Sequence, residues 1–366
     1  MGSAAAYHLA ARGARVLALE QFGIPHDMGS SHGFSRIIRL AYWEHPHYVP
    51  LVRRAYVLWR ELEHASRDRL LVVSGSIDAG SPDSVNVAGA RAACVRFGIP
   101  CEELESAALT MRFGGYRLPK DTVAIYQRDG GFLLPEQCIV AHVALARQHG
   151  AVVREHEQVV GWDAGDAGVR VTTKDGMYTA AHLVLTAGAW TGTLVRGVAS
   201  ALAPERQVML WTQPLRPALF EVGIFPVFYI NMADGPFYGF PSHDDRGFKI
   251  GRYHHRHEVV DPDTVDRTCS PEDEAVLRDG IRRYFPDADG PTLGMKACLF
   301  TNTPDEHFVI DRLDGSPRVS IAAGFSGHGF KFCSVVGEVL ADLALDGGTR
   351  HDVALFSLAR LRIAIP

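Results

Sequence analysis

The chain has 366 residues, of which 47% are hydrophobic and 22% charged, a length and composition typical of a globular α/β protein with two domains rather than a disordered chain. Its 37 basic and 42 acidic side chains give a net charge of -5 without any basic tract, so we expect no nucleic-acid partner. No apolar run reaches the roughly 18 residues of a membrane span and no signal peptide is visible, so we expect no membrane partner.

The beginning of the chain predicts a helix followed by a strand. Ala5, Leu9 and Ala10 fall on one helical face, and Gly13 can end the helix. The next segment, ARVLALE, has the pattern of a buried strand that ends in the acidic Glu20. A helix followed by such a strand is the second half of a βαβ unit.

Gly2 and Glu20 have the spacing of a dinucleotide-binding site. Such a site needs a G-x-G-x-x-G turn between a strand and a helix, and an acid about 20 residues later that binds the ribose. Gly2 takes the place of the third glycine, but the first strand and the first two glycines have no counterpart. A glycine at a chain start and a solvated acid explain this pair of residues equally well.

A loop rich in Gly, Ser and His at 22–34 precedes two arginines and an amphipathic helix. Because Arg39 lies three residues after Arg36, one helical turn would point both side chains the same way. The helix that follows carries apolar residues on one side, at Leu51, Ala55, Leu58 and Leu62.

The middle of the chain predicts a second βαβ-like unit. A helix from Cys138 to Gly150 precedes the strand AVVREH, a hairpin that turns at Asp175 and Gly176, and the buried strand HLVLTAGAW. Gly188 follows that strand, where the missing side chain lets a cofactor approach the backbone.

The segment 214–296 is aromatic and rich in predicted strands. Within it Lys249 stands between Phe248 and Ile250, and this alternation leaves open whether the lysine faces solvent or the interior. The last segment, RVSIAAGFSGHGFKFCSVVGEVLADLAL, predicts a buried strand, a glycine-rich turn and a long helix.

These elements predict two interleaved domains with a ligand between them. Segments 1–75, 138–205 and 300–366 are expected to form one discontinuous nucleotide-binding domain. Segments 76–137 and 206–299 are expected to form a sheet domain that covers it.

The six cysteines indicate a reducing compartment, because they are scattered and form no C-x-x-C pair or zinc-spaced cluster with histidines. We therefore expect the cytoplasm and no metal site. The six are Cys94, Cys101, Cys138, Cys269, Cys298 and Cys333.

Three long segments carry a family resemblance. GSSHGFSRIIRLAY near the start, and CLFTNTPDEHFVIDR and IAAGFSGHGFKF near the end, resemble the monomeric sarcosine oxidase and N-methyltryptophan oxidase family. The resemblance runs from residue 2 to about residue 359 and implies the α/β fold of two-domain FAD-dependent amine oxidases, with a Rossmann-like FAD domain and a mixed, antiparallel-sheet substrate domain. Against the family's pattern we expect about a dozen N-terminal residues to be missing, through a misassigned start or a real truncation.

The resemblance implies a covalent flavin. It makes Cys298 the thiol that bonds to the flavin 8α-methyl group, with Arg36 as the basic neighbour that such a thiolate needs. A lone cysteine is more often core packing, which is how we interpret Cys333. The FAD-binding residues that the resemblance implies are Gly2, Glu20, Ser31, His32, Arg36, Gly188, Trp190, Cys298, Gly327, Gly329, Phe330 and Lys331.

By the same resemblance, Arg39 and Lys331 bind the substrate carboxylate. A planar guanidinium fork and an ammonium in a dry pocket favour carboxylates, whereas an isolated Arg or Lys is usually a surface ion-pair residue. Lys249 matches a family lysine beside the flavin that is associated with oxygen activation.

The resemblance also implies an aromatic substrate pocket formed by Tyr229, Tyr238, Phe240 and Phe300. Rings of this kind suit a secondary or N-methylated amine, although aromatic strand residues are more often core. The family histidine lies four residues after the lysine, where this chain has Tyr253, and either His254 or His255 could replace it. We take His254 as the catalytic histidine, with Lys249 and Arg36.

The implied reaction is FAD-dependent oxidation of a secondary amino acid, such as sarcosine, to an imine. Water hydrolyses the imine to an aldehyde and an amine, and O2 is reduced to H2O2. We expect a monomer whose partners are the small-molecule amine and O2. Two alternatives remain open: a flavin dehydrogenase that passes electrons to a partner, and a truncated homologue that no longer binds FAD.

Overall fold

The computed structural model describes residues 1–361, so the last five residues of the first expected domain, 362–366, lie outside the described residues. The α-helices in that range are α1 (Gly2–Ala11), α2 (Tyr48–Ser66), α3 (Val85–Phe97), α4 (Ser106–Arg112), α5 (Pro135–Gln148), α6 (Thr191–Leu194), α7 (Pro271–Tyr284) and α8 (Cys333–Leu345). None of these helices is both long and apolar enough to cross a lipid bilayer.

The strands occur both singly between helices and in consecutive groups along the described chain. They are β1 (Leu17–Leu19), β2 (Arg36–Ile38), β3 (Leu71–Val73), β4 (Ser76–Gly80), β5 (Glu102–Glu105), β6 (Val123–Gln127), β7 (Gly131–Leu133), β8 (Val152–Arg154), β9 (Val159–Gly165), β10 (Gly168–Thr173), β11 (Met177–Ala180), β12 (Leu183–Leu185), β13 (Ala203–Thr212), β14 (Val227–Met232), β15 (Gly235–Phe240), β16 (Phe248–Arg252), β17 (Thr292–Asn302), β18 (Val309–Leu313) and β19 (Ser316–Ala323).

The largest sheet has eight strands, in the order β17-β13-β16-β15-β14-β4-β6-β5. The pair β14 and β4 is parallel, and the other neighbours in this sheet are antiparallel. A smaller sheet has the order β2-β7-β3. It joins β2, which begins with Arg36, to β3, which directly precedes β4 in the chain.

Alternation along the strands divides the large sheet into two chemically different faces. Successive side chains of a strand point to opposite faces, so Phe248 and Ile250 share one face while Lys249 takes the other. The first face is mainly apolar and packs on α7 through Leu277 and Ile281. Each large apolar side chain buried there contributes about 1.5–3 kcal/mol to folding. This packing leaves the opposite face free for polar and aromatic side chains.

The N-terminal helix α1 packs between α5 and α8, close to two small sheets that contain parallel strand pairs. β1 pairs with β8, and β12 pairs with β19. Ala4 and Ala5 of α1 join the core formed by α2 and α8, while Ala6 and Ala10 pack on Ala146 of α5. Small side chains on α1 therefore let three helices approach one another closely.

Replacing Gly337 of α8 with alanine should destabilise the fold at this contact. A Cβ atom there would lie 2.5 Å from Cβ of Ala4 and 2.6 Å from its carbonyl carbon, so α1 and α8 must separate. Overpacking costs about 1–3 kcal/mol, which exceeds the gain of about 1 kcal/mol from replacing glycine in a helix. Urea unfolding should therefore show a lower free energy of unfolding. Gly294→Ala is the control, because no atom lies within 4 Å of its Cβ position.

Two local predictions are confirmed. Leu51, Ala55, Leu58 and Leu62 of α2 are all buried, at 5% exposure or less. The antiparallel pair β10 and β11 turns at Asp175 and Gly176, as the sequence predicts.

Two other predictions are wrong. ARVLALE was predicted to be a buried strand, but Leu17 in β1 is 39% exposed because the described chain pairs β1 with β8 on one side only. Arg36 and Arg39 were predicted to share one side of a helical turn, but Arg36 opens strand β2, which pairs with β7. In an extended chain, residues three apart point to opposite faces.

Candidate active site

The polar and aromatic face of the large sheet carries six of the predicted site residues. Tyr229 of β14 lies directly opposite Tyr238 of β15, and Phe240 lies opposite Lys249 of β16. Residues directly opposite each other in a sheet share a face, so these four side chains project together. Further along the same face, β17 contributes Cys298 and Phe300, which pair with Gln207 and Glu205 of β13.

Lys249 is buried, which settles the question that the alternation left open. Its side chain is 2% exposed, and Nζ donates to the carbonyl oxygens of Gly33 at 2.7 Å and Ser35 at 3.0 Å, and to Ser35 Oγ at 3.2 Å. Nζ also lies 4.4 Å from the centre of the Phe240 ring. Burial lowers the pKa of Lys249 well below its usual value, and Arg36 lowers it further. The three oxygen acceptors match the three N–H donors of an ammonium.

Arg36 lies in the same region and is held by backbone oxygens. Its Nη2 donates to the Ser30 carbonyl oxygen at 2.7 Å, and its Nη1 donates to the Ser35 carbonyl oxygen at 2.8 Å. Nη1 also lies 3.9 Å from Sδ of Met209, on the site face of β13. The arginine charge is therefore not neutralised by a carboxylate at these contacts.

Cys298 is buried beside these two cations. Burial raises the pKa of the Cys298 thiol, whereas Arg36 and Lys249 both act to lower it. The thiol packs in one apolar cluster with Met209 and Trp211. Cys333, by contrast, is buried in the core at the start of α8.

His32 has unpaired polar atoms next to Arg36. It is buried, and neither ring nitrogen has a hydrogen-bond partner within residues 1–361. Burial, with Arg36, lowers the pKa of His32 to about 3, so the ring is neutral at pH 7. Ser31, the preceding residue, is half-buried in the same loop.

Arg39 and Lys331 converge on one tyrosine. The Arg39 guanidinium carbon and the Lys331 ammonium nitrogen each lie 5.1 Å from the centre of the Tyr42 ring. Both side chains are 4% exposed, and Lys331 donates to the His328 carbonyl oxygen at 2.8 Å. Burial and Arg39 lower the pKa of Lys331 to about 7.

Two acids that the sequence analysis missed already pair with Arg39. Its Nη2 donates to Glu44 Oε1 at 3.1 Å and Oε2 at 3.2 Å, and its Nε lies 3.1 Å from Oδ2 of Asp78. Asp78 lies opposite Tyr229 in the large sheet, so it shares the face of the other site residues. An acid within the strand SIDAG, whose residues are all buried, is the one sequence signal that could have drawn attention to Asp78.

A tyrosine, rather than the expected histidine, lies beside the predicted aromatic residues Tyr229 and Phe300. The Tyr253 ring centre lies 6.3 Å from that of Tyr229 and 5.2 Å from that of Phe300. His254, expected to be catalytic, instead bonds Glu205 Oε2 through Nδ1 at 2.8 Å and Glu306 Oε1 through Nε2 at 3.0 Å.

The reason for this difference is local. The Tyr253 amide donates to Pro236 and so continues the register of β16 and β15, whereas His254 has a φ of 56° and turns away. His255 is buried against Asp273, at 3.0 Å.

His254 belongs to the one group of described residues that could hold a metal ion, together with Glu205 and His257. Burial acts to lower the pKa of His254, but its hydrogen bonds to Glu205 and Glu306 raise it to about 9. The imidazole is therefore protonated at pH 7 and occupied on both nitrogens, which disfavours metal binding.

The remaining predicted cofactor residues lie toward the parallel strands. A Cβ atom on Gly2 would lie 2.6 Å from Thr186 Oγ1, so α1 begins beside the end of β12. Glu20 follows β1, and its Oε1 accepts from the Phe22 amide at 2.9 Å. Trp190, after β12, packs edge-on against Phe22 and donates to Asp263 Oδ1 at 2.7 Å.

The glycine-rich turn before α8 packs both on the aromatic face of the large sheet and on helix α2. Gly327 has a φ of 76°, and a Cβ atom there would lie 2.4 Å from the Phe300 ring. Gly329 is packed equally closely against Phe325, and Phe330 stacks on Trp59 of α2. This packing fixes the turn that carries Lys331 into the site.

The residues present fit a flavin dinucleotide in four respects. Within residues 1–361 neither nitrogen of the buried His32 ring has a hydrogen-bond partner, and the Cys298 thiol lies near Lys249. Helix α1 has no side-chain cap at its N-terminus, which leaves backbone amides for a pyrophosphate. Gly188 has a φ of 55°, and beyond its chain neighbours no atom of residues 1–361 lies within 4 Å of its Cβ position.

Comparisons with known proteins agree with this geometry. The family described as DAO, FAD dependent oxidoreductase, matches residues 1–343. A monomeric sarcosine oxidase of Streptomyces avermitilis is 42% identical over 369 aligned residues, which cover 100% of this chain and 96% of that protein. An N-methyl-L-tryptophan oxidase of Yersinia pestis is 33% identical and covers 99% of this chain and 97% of that protein.

A solved structure is also similar over nearly the whole chain. NikD, an unusual amino acid oxidase essential for nikkomycin biosynthesis, has a TM-score of 0.85 and 25% identity, covering 97% of this chain and 94% of that one. These similarities confirm the predicted α/β fold class of the FAD-dependent oxidoreductases and the predicted family resemblance.

Proposed function

We propose, on the premise that this chain belongs to the DAO family of FAD-dependent oxidoreductases, that it oxidises a secondary amino acid such as sarcosine at its C–N bond, with O2 as the electron acceptor. The observation that carries this proposal is the pair Arg39 and Lys331, two buried cations beside Tyr42 at one end of an aromatic sheet face. A carboxylate bound there places the amine of an amino acid among aromatic rings.

The cofactor, when bound, would accept a hydride equivalent from the carbon next to the amine nitrogen and pass its two electrons to O2. The chain's own residues bind and orient the substrate. Arg39 and Lys331 bind the carboxylate through charge-assisted hydrogen bonds. Tyr229, Tyr238, Phe240 and Phe300 surround the amine with ring faces and exclude water. Lys249 holds a positive charge where negative charge develops on dioxygen.

We propose that Cys298 holds the flavin covalently, because it lies beside the two cations that favour a thiolate. The other FAD-binding residues remain those expected from the sequence, with Gly2 at the pyrophosphate and Glu20 at the ribose. We propose that Tyr253, rather than His254, lines the substrate pocket, because the Tyr253 ring lies beside Tyr229.

The expected division into domains also stays a proposal. The eight-stranded sheet supports it, since its strands come from 76–127 and 203–302, close to the segments expected for the substrate domain. The similarity to the monomeric sarcosine oxidase of Streptomyces avermitilis supports a monomer. All six cysteines are unpaired, which supports the cytoplasm.

Oxygen consumption and peroxide formation with sarcosine test the proposed function. We expect one H2O2 per amine oxidised under air. Turnover with an artificial electron acceptor but without peroxide would instead support a dehydrogenase. Loss of flavin on gel filtration, with no turnover of any N-methyl amino acid, would contradict the proposal.

Replacing the carboxylate-binding residues should change substrate selectivity. Arg39→Gln or Lys331→Met should raise KM for sarcosine by about one to two powers of ten, because losing a buried charge-assisted bond costs roughly 1.5–3 kcal/mol. KM for dimethylamine, which has no carboxylate, should change little. Arg60→Gln, on the exposed side of α2, is the control. Equal losses on both amines would show that the two residues maintain the fold instead.

A further inference from the structure

We propose that Asp78 is a specificity-determining residue: a substrate carboxylate that binds Arg39 and Lys331 displaces Asp78 from Arg39, and Asp78 then takes up one proton from solvent. This inference rests on the proposed carboxylate-binding role of Arg39 and Lys331. It assigns a role to a residue that lies outside the set expected from the sequence.

The first support is the position of Asp78. It lies on the inner strand β4, is 1% exposed, and projects from the same sheet face as Tyr229. Its Oδ2 atom is 3.1 Å from Nε of Arg39, while its Oδ1 atom has no hydrogen-bond partner in residues 1–361. Burying a carboxylate oxygen without a partner costs folding free energy, and most structural carboxylates avoid this cost. Asp78 is therefore poorly explained by stability alone.

The second support is the charge count of the cluster. Arg39 and Lys331 contribute two positive charges, and Glu44 and Asp78 contribute two negative charges when ionised. A bound substrate carboxylate would leave a net charge of minus one in a buried site, which is unfavourable. One proton on Asp78 restores neutrality. Glu44 keeps its charge, because Arg39, His328 and Lys331 outweigh the opposite effect of burial and hold its pKa below the usual value.

The third support is that Asp78 and Lys331 both change their charge near neutral pH. Burial raises the pKa of Asp78 to about 7, although Arg39 opposes this, and burial lowers the pKa of Lys331 to about 7. Below pH 7 Asp78 is neutral and Lys331 charged, so the cluster carries one net positive charge. Above pH 7 Asp78 is charged and Lys331 neutral, so the cluster carries one net negative charge. Carboxylate binding must therefore weaken as the pH rises through 7.

The other titratable groups that face Asp78 within residues 1–361 have pKa values displaced from this range. Tyr229 faces it from β14, and Cys94 faces it from α3; burial raises the pKa of both, so both stay neutral. On the other side β6 carries no charged side chain between Val123 and Gln127. The pH dependence thus belongs to Asp78 and Lys331.

Calorimetric titration of the holoenzyme with propionate tests the inference without turnover. Measured at pH 8 in phosphate and in Tris, whose ionisation enthalpies differ, the heats give the number of protons taken up. We expect net uptake, and a Kd that rises with pH by up to about 100-fold per unit above pH 7, because two groups are linked to binding.

Asp78→Asn should lower the proton uptake by close to one. It should tighten propionate binding at pH 8 by about tenfold and reduce the pH dependence to at most about tenfold per unit, which reflects Lys331 alone. Glu103→Gln is the matched control, because Glu103 lies on the same sheet but is exposed and paired with Arg91. This variant should bind propionate as the parent does.

Several results would overturn the inference. The first is no proton uptake by the unmodified protein between pH 6.5 and 8.5, which requires no variant to fold. The second is an equal proton uptake on propionate binding in the parent and in Asp78→Asn. The third is the absence of propionate binding at pH 6. The proposed function can fail separately. If sarcosine is not oxidised but the proton uptake on propionate binding depends on Asp78, the inference stands. If sarcosine is oxidised with a KM independent of pH, the function stands and the inference fails.

Discussion

Lys249→Met is expected to slow the reoxidation of the reduced enzyme by O2 by about 10²–10³-fold, while reduction by the amine under nitrogen stays within a few-fold of the parent. Electron transfer to O2 creates negative charge, and a preorganised cation in a dry site stabilises that charge strongly. Oxidation of the neutral amine places no charge on O2, so we expect this step to depend little on Lys249. Stopped-flow absorbance of the two half-reactions separates these steps.

The pH dependence of reoxidation gives an independent check. Lys249 carries its charge only below its pKa, and burial lowers that pKa well below the ordinary lysine value. The reoxidation rate of the parent should therefore fall as the pH rises through this lowered pKa, and the rate of Lys249→Met should not. Lys296→Met is the matched control, since Lys296 lies on the same sheet face but is only half-buried and is paired with Asp27.

A slow reduction step with normal reoxidation in Lys249→Met would contradict the oxygen role. Lys249 would then belong to substrate binding, close to Phe240, whose ring faces its ammonium.

Local sequence patterns predicted those elements whose shape depends on neighbouring residues. The spacing of Leu51 and Leu58 indicated the buried side of α2, and Asp175 with Gly176 indicated the turn between β10 and β11. In both cases one periodicity or one turn signal is sufficient. The glycine-rich segment before α8 was predicted for the same reason.

The conformation around Arg36 and Arg39 could not be read from local patterns. Strand β2 exists because it pairs with β7, and β7 also pairs with β3. The spacing of the two arginines is compatible with a helical turn, so tertiary pairing decides which faces they take. The consequence is functional, because Arg36 points toward Cys298 and Arg39 points toward Asp78.

The cluster around Arg39 was missed because three distant segments form it. Glu44 follows β2, Asp78 lies on β4, and Lys331 precedes α8. The sequence offered a reason to pair Arg39 with Lys331 through the family resemblance, but it offered none to bring acids to the same place. His254 illustrates the same limit, since one residue with positive φ turns it from the pocket toward Glu205.

Cys298→Ser is expected to abolish the covalent attachment of the flavin. Acid precipitation of the parent holoenzyme should leave the yellow colour in the protein pellet, and precipitation of Cys298→Ser should release it to the supernatant. Absorbance at the flavin maximum in the two fractions measures this without any turnover. Cys333→Ser should behave as the parent does, because Cys333 is buried in the helical core of α8.

The physical reason lies in the surroundings of the two thiols. Attack on the electron-poor flavin ring requires a thiolate, and a buried thiol normally resists ionisation. At Cys298 the charges of Arg36 and Lys249 oppose the effect of burial on the thiol pKa. Cys333 packs among apolar side chains such as Val336 of the same helix. Colour in the supernatant of the parent would show that the flavin is not covalently bound, and Cys298 would then be a packing residue of the sheet.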